Sequence, residues 1–418
     1  MKSESISSTF KYAFGPGLIL AAAAVGVSHL VQSTRAGADY GFTLVWAVIL
    51  ASLMKYPFLE FGPRFAAATE KSLIEGYERM GGWSLWIYII FTVGTMFAIQ
   101  AAVTIVTASL AIELTGIDLP LLAWCAIILT ICIAVLIKGK YSALDSLIKV
   151  VMVVLSLSTL IAFAVAFFDG HTPTFTKAPS IWNVAGITFL IALMGWMPIP
   201  IDAAAWHSLW TLERSKQTNH RSTLRESLLD FNIGYIGSAI LALIFLGLGA
   251  MVMFGTGVSF SSAGAAFAGQ LIDLYTQTLG EWAHWIIVIC AFTTMFSTTL
   301  TVTDSYPRVS REIIRVLNPG SVKISRIFSY RNLMILISLT SVGLLYITGS
   351  QFTYIIDLAT SLSFLTAPAL AYINYKLITS DQLDEAFKPK KWLILLSWFG
   401  MIFLTAFALI FFYWRFFM

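Results

Sequence analysis

Charge is what this chain has least of. Charged side chains make up 11% of its 418 residues, where a soluble protein carries about 25%. Hydrophobic residues make up 58%, and the mean hydropathy is +0.82. These values exclude a water-soluble domain and predict an all-α polytopic integral membrane protein whose surroundings are the lipid bilayer. The net charge of +4 is spread through connecting loops and forms no patch, which excludes a nucleic-acid partner. Cysteine is nearly absent. Cys125, Cys132 and Cys290 all fall in apolar stretches, and an odd number of buried thiols excludes a disulfide framework and leaves them as small packing residues. There is no P-loop, no Gly-rich dinucleotide turn and no nucleophile elbow. His207 and His220 fall near a span end, too far from His29 to pair with it. The expectation is a non-enzyme with no resident cofactor. A cleavable signal is not expected either, because the first apolar stretch is a full span without a short h-region. No segment points to an obligate protein partner.

A span needs roughly 20 apolar residues. Eleven stretches qualify, at about 13–37, 41–63, 83–112, 120–137, 146–168, 184–210, 228–254, 282–306, 330–348, 352–377 and 392–415. With the N-terminus cytoplasmic, 21 of the 26 Lys and Arg fall in cytoplasmic segments, while Arg35, Lys177 and Arg415 lie outside and Lys55 and Lys149 fall within spans. That bias supports the count and sets the orientation: an inner-membrane protein with its C-terminus outside. The expected organisation is one transporter-like domain over 1–418, with repeats at 13–168 and 184–377 and an extra helix at 392–415. Five spans per repeat place the repeats in opposite orientations. Residues 255–281, rich in Gly, Ala and Ser, read as a loop with a short helix, and 381–391 as a solvated charged segment.

Two spans are interrupted. Polar Ser28 and His29 follow Gly26 and Val27 at about half depth of the first. Met197-Pro198-Ile199-Pro200 interrupts the sixth, and two prolines so close remove two backbone donors. A broken helix survives at membrane depth only where protein or a water-filled cavity surrounds it. Two breaks at matching places in two halves point to a transport site.

Particular residues then carry a likeness. Gly15-Pro16-Gly17, Ala36-Gly37-Ala38-Asp39-Tyr40-Gly41-Phe42, Leu53-Met54, Arg64, Thr115-Gly116-Ile117, Met197-Pro198 and the run Ser297-Thr298-Thr299-Leu300-Thr301-Val302-Thr303 resemble the NRAMP divalent-metal transporters. The resemblance implies a LeuT-type fold of about eleven helices, an inverted five-plus-five repeat with one added helix, a midplane site between spans 1 and 6, and alternating access. It also marks departures. Where the family has Asp-Pro-Gly-Asn, this chain has Gly26, Val27, Ser28 and His29. The family's metal-binding methionine is kept as Met197, and the carbonyl donor three residues earlier is that of Met194. The His after Met-Pro becomes Ile199. The acidic proton-path positions of span 3 become Gln100 and Val103, and the Gln of span 10 becomes Thr360.

Hard divalent ions want oxygen ligands and a carboxylate, and a dication at mid-membrane without one is strongly disfavoured. The favoured reading is therefore a transporter of a small solute or a less demanding cation, held by the span 1 break, Met194 to Ile199 and Asp202. Two alternatives stay open: a divalent-metal transporter built on His29, Met197 and Asp202 without the usual proton coupling, and a membrane sensor that kept the fold, against which the lack of an appended signalling domain counts. Thr298 and Thr299 are candidate oxygen donors to Na+ as coupling ion, unless they only bond their own helix. Asp202 is a candidate ligand or a helix cap. His29, with a pKa near neutrality in water, is a candidate substrate or proton-handling group. Trp196 and Trp206 are candidate pocket walls. Glu60, Asp145, Lys149 and Asp304 are expected in ion pairs at span ends, and Lys55 is expected to snorkel toward the cytoplasm.

Overall fold

A computed structural model describes residues 15–138, 141–168 and 178–417, with side chains of 141–152 and Phe416 left undescribed. Lys2, Lys11, Lys140 and Lys177 lie outside these residues, as do the side chains of Asp145 and Lys149.

Among the described residues, seven helical stretches are long and apolar enough to cross a membrane, the first of them the 54-residue run Pro16–Thr69. Shorter apolar helices cover Leu121–Ile137, Val153–Phe168 and Val184–Gly195. In chain order the helices are α1 Pro16–Ala24, α2 Thr34–Tyr40, α3 Val45–Thr69, α4 Leu73–Met80, α5 Gly82–Thr115, α6 Leu121–Ile137, α7 Tyr141–Phe168, α8 Val184–Gly195, α9 Ala203–Thr218, α10 Leu224–Val252, α11 Gly264–Leu279, α12 His284–Leu317, α13 Val322–Ile327, α14 Tyr330–Ile347, α15 Phe352–Ile378 and α16 Lys391–Phe417. Among the described residues, every stretch expected to span is helical outside its break. The first span is α1 and α2 joined by wide π-type turns over Val27–Ser33. The sixth is α8 and α9 joined by non-helical residues 196–202.

The two broken spans sit at the centre. α10 packs along both α1 and α2, α15 against α8, α3 against α9, and α12 against α1 and α5. Close approach is built in. A Cβ on Gly17 would meet the Asp230 carbonyl oxygen at 2.1 Å, and one on Gly234 would meet the Gly17 carbonyl oxygen at 2.1 Å. Small residues that let backbones touch are how helices associate where lipid is as apolar as leucine. Asp230 then receives the N–H groups of Gly17 at 2.6 Å and Gly15 at 3.2 Å, capping the start of α1 beside Pro16 at its first turn. Outward-facing Trp86, Trp282, Trp285, Trp392 and Trp398 remain exposed, as aromatics at membrane interfaces do.

Residues 255–281 differ from expectation. They hold the 16-residue helix α11, whose buried Phe267, Leu271, Leu274 and Tyr275 follow helical spacing. The small residues around that stripe hide its period in the sequence. The three cysteines are buried and unpaired.

Candidate functional site

The first break falls at Val25 and Gly26, and its freed groups find local partners. The Ser28 hydroxyl reaches the Ala24 carbonyl at 2.6 Å and His29 Nδ1 at 2.7 Å, with the Pro198 carbonyl across the gap at 3.4 Å. His29 Nε2 donates to the Ser238 carbonyl of α10 at 2.7 Å, since a carbonyl only accepts. The ring is fully buried and stands edge-on to Phe245 at 6.2 Å. His29 thus faces α10 and lies outside the cavity between the breaks.

The second break is held by a residue the sequence reading placed elsewhere. Lys55 of α3 does not snorkel. It is fully buried, and its Nζ donates to the Gly195 carbonyl at 2.7 Å and more distantly to the Ile199 carbonyl at 3.4 Å. Asp202 stands just before α9 at its N-cap position, without the side-chain hydrogen bond of a helix cap. Its Oδ2 receives the Tyr306 hydroxyl at 3.1 Å. Met197 Sδ accepts the Ser33 hydroxyl at 3.7 Å, and the Met194 carbonyl takes the N–H groups of Trp196 and Met197.

Between the breaks lies a cavity of about 20 Å³, room for about one water-sized group. Val27, Ile99, Val103, Ile199 and Val302 give it apolar walls, Trp196 and Trp206 aromatic ones, and Ser28 and Thr298 two hydroxyls. The Trp196 indole donates to Ser363 Oγ at 2.8 Å. The buried indole N–H of Trp206 has no hydrogen-bond partner among the described residues. Of the expected site residues, the cavity gathers Val27, Ser28, Ile199, Val103 and Thr298. His29, Met194, Met197, Asp202, Thr299, Gln100 and Thr360 are not in its wall. Among the described residues, no three His, Cys, Asp or Glu side chains converge in a metal-holding group.

The span 8 hydroxyls divide. Thr298 Oγ1 donates toward the Ala22 carbonyl of α1 at 3.0 Å. Thr299 turns to α5, meeting the Val103 carbonyl at 3.0 Å and Thr107 Oγ1 at 2.7 Å. Gln100 donates to Thr303 Oγ1 at 3.1 Å, while its Oε1 is unpartnered. A Cβ on Gly26 would meet Thr298 Oγ1 at 2.7 Å, so Thr298 occupies the space a side chain at 26 would need.

At one end of the site, α2 is latched to α15. Arg35 pairs with Asp357 at 2.9 Å. Gln32 donates to Asp357 at 3.0 Å and to Thr360 at 3.3 Å, and the guanidinium lies over the Phe189 ring at 5.1 Å. Thr360 therefore belongs to the latch. The sequence signal was there, since Gln32 and Arg35 recur at three-residue spacing, as do Asp357 and Thr360. At the opposite end a vestibule of about 950 Å³ opens between α3, α9 and α12, with Glu70, Glu75, Arg221, Arg308 and Arg315 in its walls. Ion pairs cross it: Arg315 to Glu75 at 2.7 Å and Arg221 to Glu70 at 2.5 Å. Nearer the core, Glu60 pairs with Arg64, and Asp304 with Arg308 at 2.6 Å.

A family model described as natural resistance-associated macrophage protein-like (Nramp) matches residues 17–414. This chain belongs to the Nramp family. An uncharacterized protein of Pasteurella multocida (strain Pm70) is 36% identical over 404 residues, 96% of this chain and 91% of that one. The divalent metal cation transporter MntH of Lacticaseibacillus casei (strain BL23) is 21% identical over 410 residues, covering 92% and 85% of the two chains. Among solved structures, the Eremococcus coleocola manganese transporter in complex with an aromatic bis-isothiourea substituted compound superposes with a TM-score of 0.70 at 15% identity, over 98% of this chain and 88% of that one. MhsT in complex with L-phenylalanine superposes with a TM-score of 0.64 at 14% identity, over 96% and 98%. The Nramp chain described here is all-helical with a LeuT-type fold, as expected, and is a multi-pass membrane protein of a transporter family.

Proposed function

We propose that this Nramp-family chain is a secondary transporter that carries a small solute by alternating access through the cavity between its two breaks, and that Mn2+ and Fe2+ are not its substrates. One observation carries the reading. The cavity wall is made of Ala, Val, Ile, Pro, Trp, Ser and Thr residues and, among the described residues, contributes no carboxylate. Its volume alone would suit an ion, but its chemistry does not, because a dication there has no formal negative charge to meet. The unpartnered Trp206 N–H and the Ser28 hydroxyl instead suit a solute that accepts hydrogen bonds. A solute larger than one water requires the walls to part. With the N-terminus cytoplasmic in the inner membrane, the Arg35 latch is the closed outer gate, and the vestibule opens inward.

The alternative, a divalent-metal transporter with an altered site, rests on Met197 and on the named activity of the MntH relatives. A screen of purified protein by thermal shift and calorimetry separates the two. Neutral and anionic small metabolites are run beside Mn2+, Fe2+ and Na+. Stabilisation by a solute with none by Mn2+ supports the proposal, and saturable micromolar Mn2+ binding replaces it with the alternative. Repeating the solute titration in Na+, K+ and choline tests Thr298 as a Na+ donor. Tightening in Na+ alone is expected if it is one, and the effect must be reciprocal.

A further inference from the structure

We infer that Lys55 is a tethered cation that takes the cation position at the break of span 6, and that it is the residue that excludes metal ions from this transporter. The inference rests on the small-solute reading and names its specificity-determining residue.

The break ends α8 at Gly195 and frees carbonyl groups at the negative end of that helix. Beside them the Ile199 carbonyl lies between two prolines, and the Asp202 carboxylate follows. Carbonyl and carboxylate oxygens of this kind are the donors that hard cations take. Here an ammonium sits at two of the carbonyls: Lys55 Nζ is 2.7 Å from the Gly195 oxygen, with the Ile199 oxygen at 3.4 Å. A fully buried charge is costly unless matched, and Lys55 is matched by the helix end and the two carbonyls. Being covalently attached, it needs no ion from solution. It also repels any ion that enters, because a like charge at close range in a poorly screened site disfavours a second cation. His29 and Met197 do not compensate, since their polar atoms are bonded to Ser238, Ser28 and Ser33.

The inference predicts a latent cation site. Lys55→Ala and Lys55→Met are purified in detergent beside the parent chain. Each is titrated with Na+, K+ and Mn2+ by calorimetry, and the unfolding midpoint is followed at each concentration. Lys55→Ala is expected to gain saturable binding of at least one of these cations, at least about tenfold tighter than the parent, with a midpoint that rises with that cation. Lys55→Met, which fills the space without the charge, is expected to be less stable than the parent. If Lys55→Ala does not fold, Lys55→Ser, which also empties the space, is titrated with the same cations in its place. A folded Lys55→Ala or Lys55→Ser with no cation response overturns the inference, as does a parent that binds the same cations as tightly as the variant. Because the readouts are binding and stability, a failure to transport anything would sink the functional proposal and leave this inference standing.

Discussion

Arg35 Nη1 lies 2.9 Å from Asp357 Oδ1, joining residues 322 positions apart. The pair ties the second half of span 1 to span 10 and is partly sheltered from solvent, so it is screened less than an exposed pair. Breaking it favours opening at that end. In Asp357→Asn, a cysteine placed in the cavity wall at Val103 should react several-fold faster with a membrane-impermeant thiol reagent added from the side on which the Arg35–Asp357 pair lies. Unchanged labelling would show that the pair is not a gate. The native cysteines are buried and contribute little background.

The resemblance in sequence sets Gly26 against the family's metal-binding aspartate, and Thr298 takes the space a side chain there would need. A Cβ there meets Thr298 Oγ1 at 2.7 Å and Cγ2 at 2.9 Å. Gly26→Asp alone should therefore lower stability by about 1–3 kcal/mol, and adding Thr298→Ala should recover part of the loss in chemical unfolding. Restoring Mn2+ binding should require the triple change Gly26→Asp, His29→Asn and Thr298→Ala. If Gly26→Asp by itself is fully stable, the close approach of α1 to α12 is not what fixes glycine at this position.

His29 bridges Ser28 and the Ser238 carbonyl while its ring fills space beside Phe245. His29→Ala removes buried volume and both hydrogen bonds of the imidazole, costing about 2–4 kcal/mol. A midpoint within a degree of the parent would contradict this placement. Sequence placed His29 at the break through the residues around it, but depth in a span does not give rotation about the helix axis. That rotation sends the imidazole to α10 and leaves Ser28 facing the gap.

Glu75, in the amphipathic helix α4 outside the spans, tests the vestibule network. Burial alone would raise its carboxyl pKa, but the Ser72 N–H and Arg315 outweigh burial and hold it below its ordinary 4.5. A depressed folded pKa gives stability that is fully present above that ordinary value and is lost as pH falls through the lower one. Glu75→Gln keeps the capping box but not the charge. The thermal advantage of the parent over Glu75→Gln should therefore be constant above pH 4.5 and fade below it. An advantage unchanged at lower pH would show that the charge does not stabilise the fold.

What was legible follows the physics. Spans announce themselves through hydropathy and basic loops, and the breaks through Gly26 and the paired Pro198 and Pro200. Partners far apart in the chain do not. Lys55 reads as a residue that snorkels because nothing near it in sequence shows the carbonyls 140 and 144 positions away. Thr298 and Thr299 look equivalent on paper, yet successive helical residues point about 100° apart, so one meets α1 and the other α5. Trp206 was legible as a wall, but its unpartnered N–H was not.

Mn2+ uptake tests the account most directly. Proteoliposomes of the parent chain, loaded with a Mn2+-quenched fluorophore and a pH dye, are compared with proteoliposomes of a manganese transporter of the same family. The account predicts signal from the latter and none above empty vesicles from this chain, with no internal acidification. Saturable Mn2+ entry by the parent chain, with Lys55 intact, would contradict it.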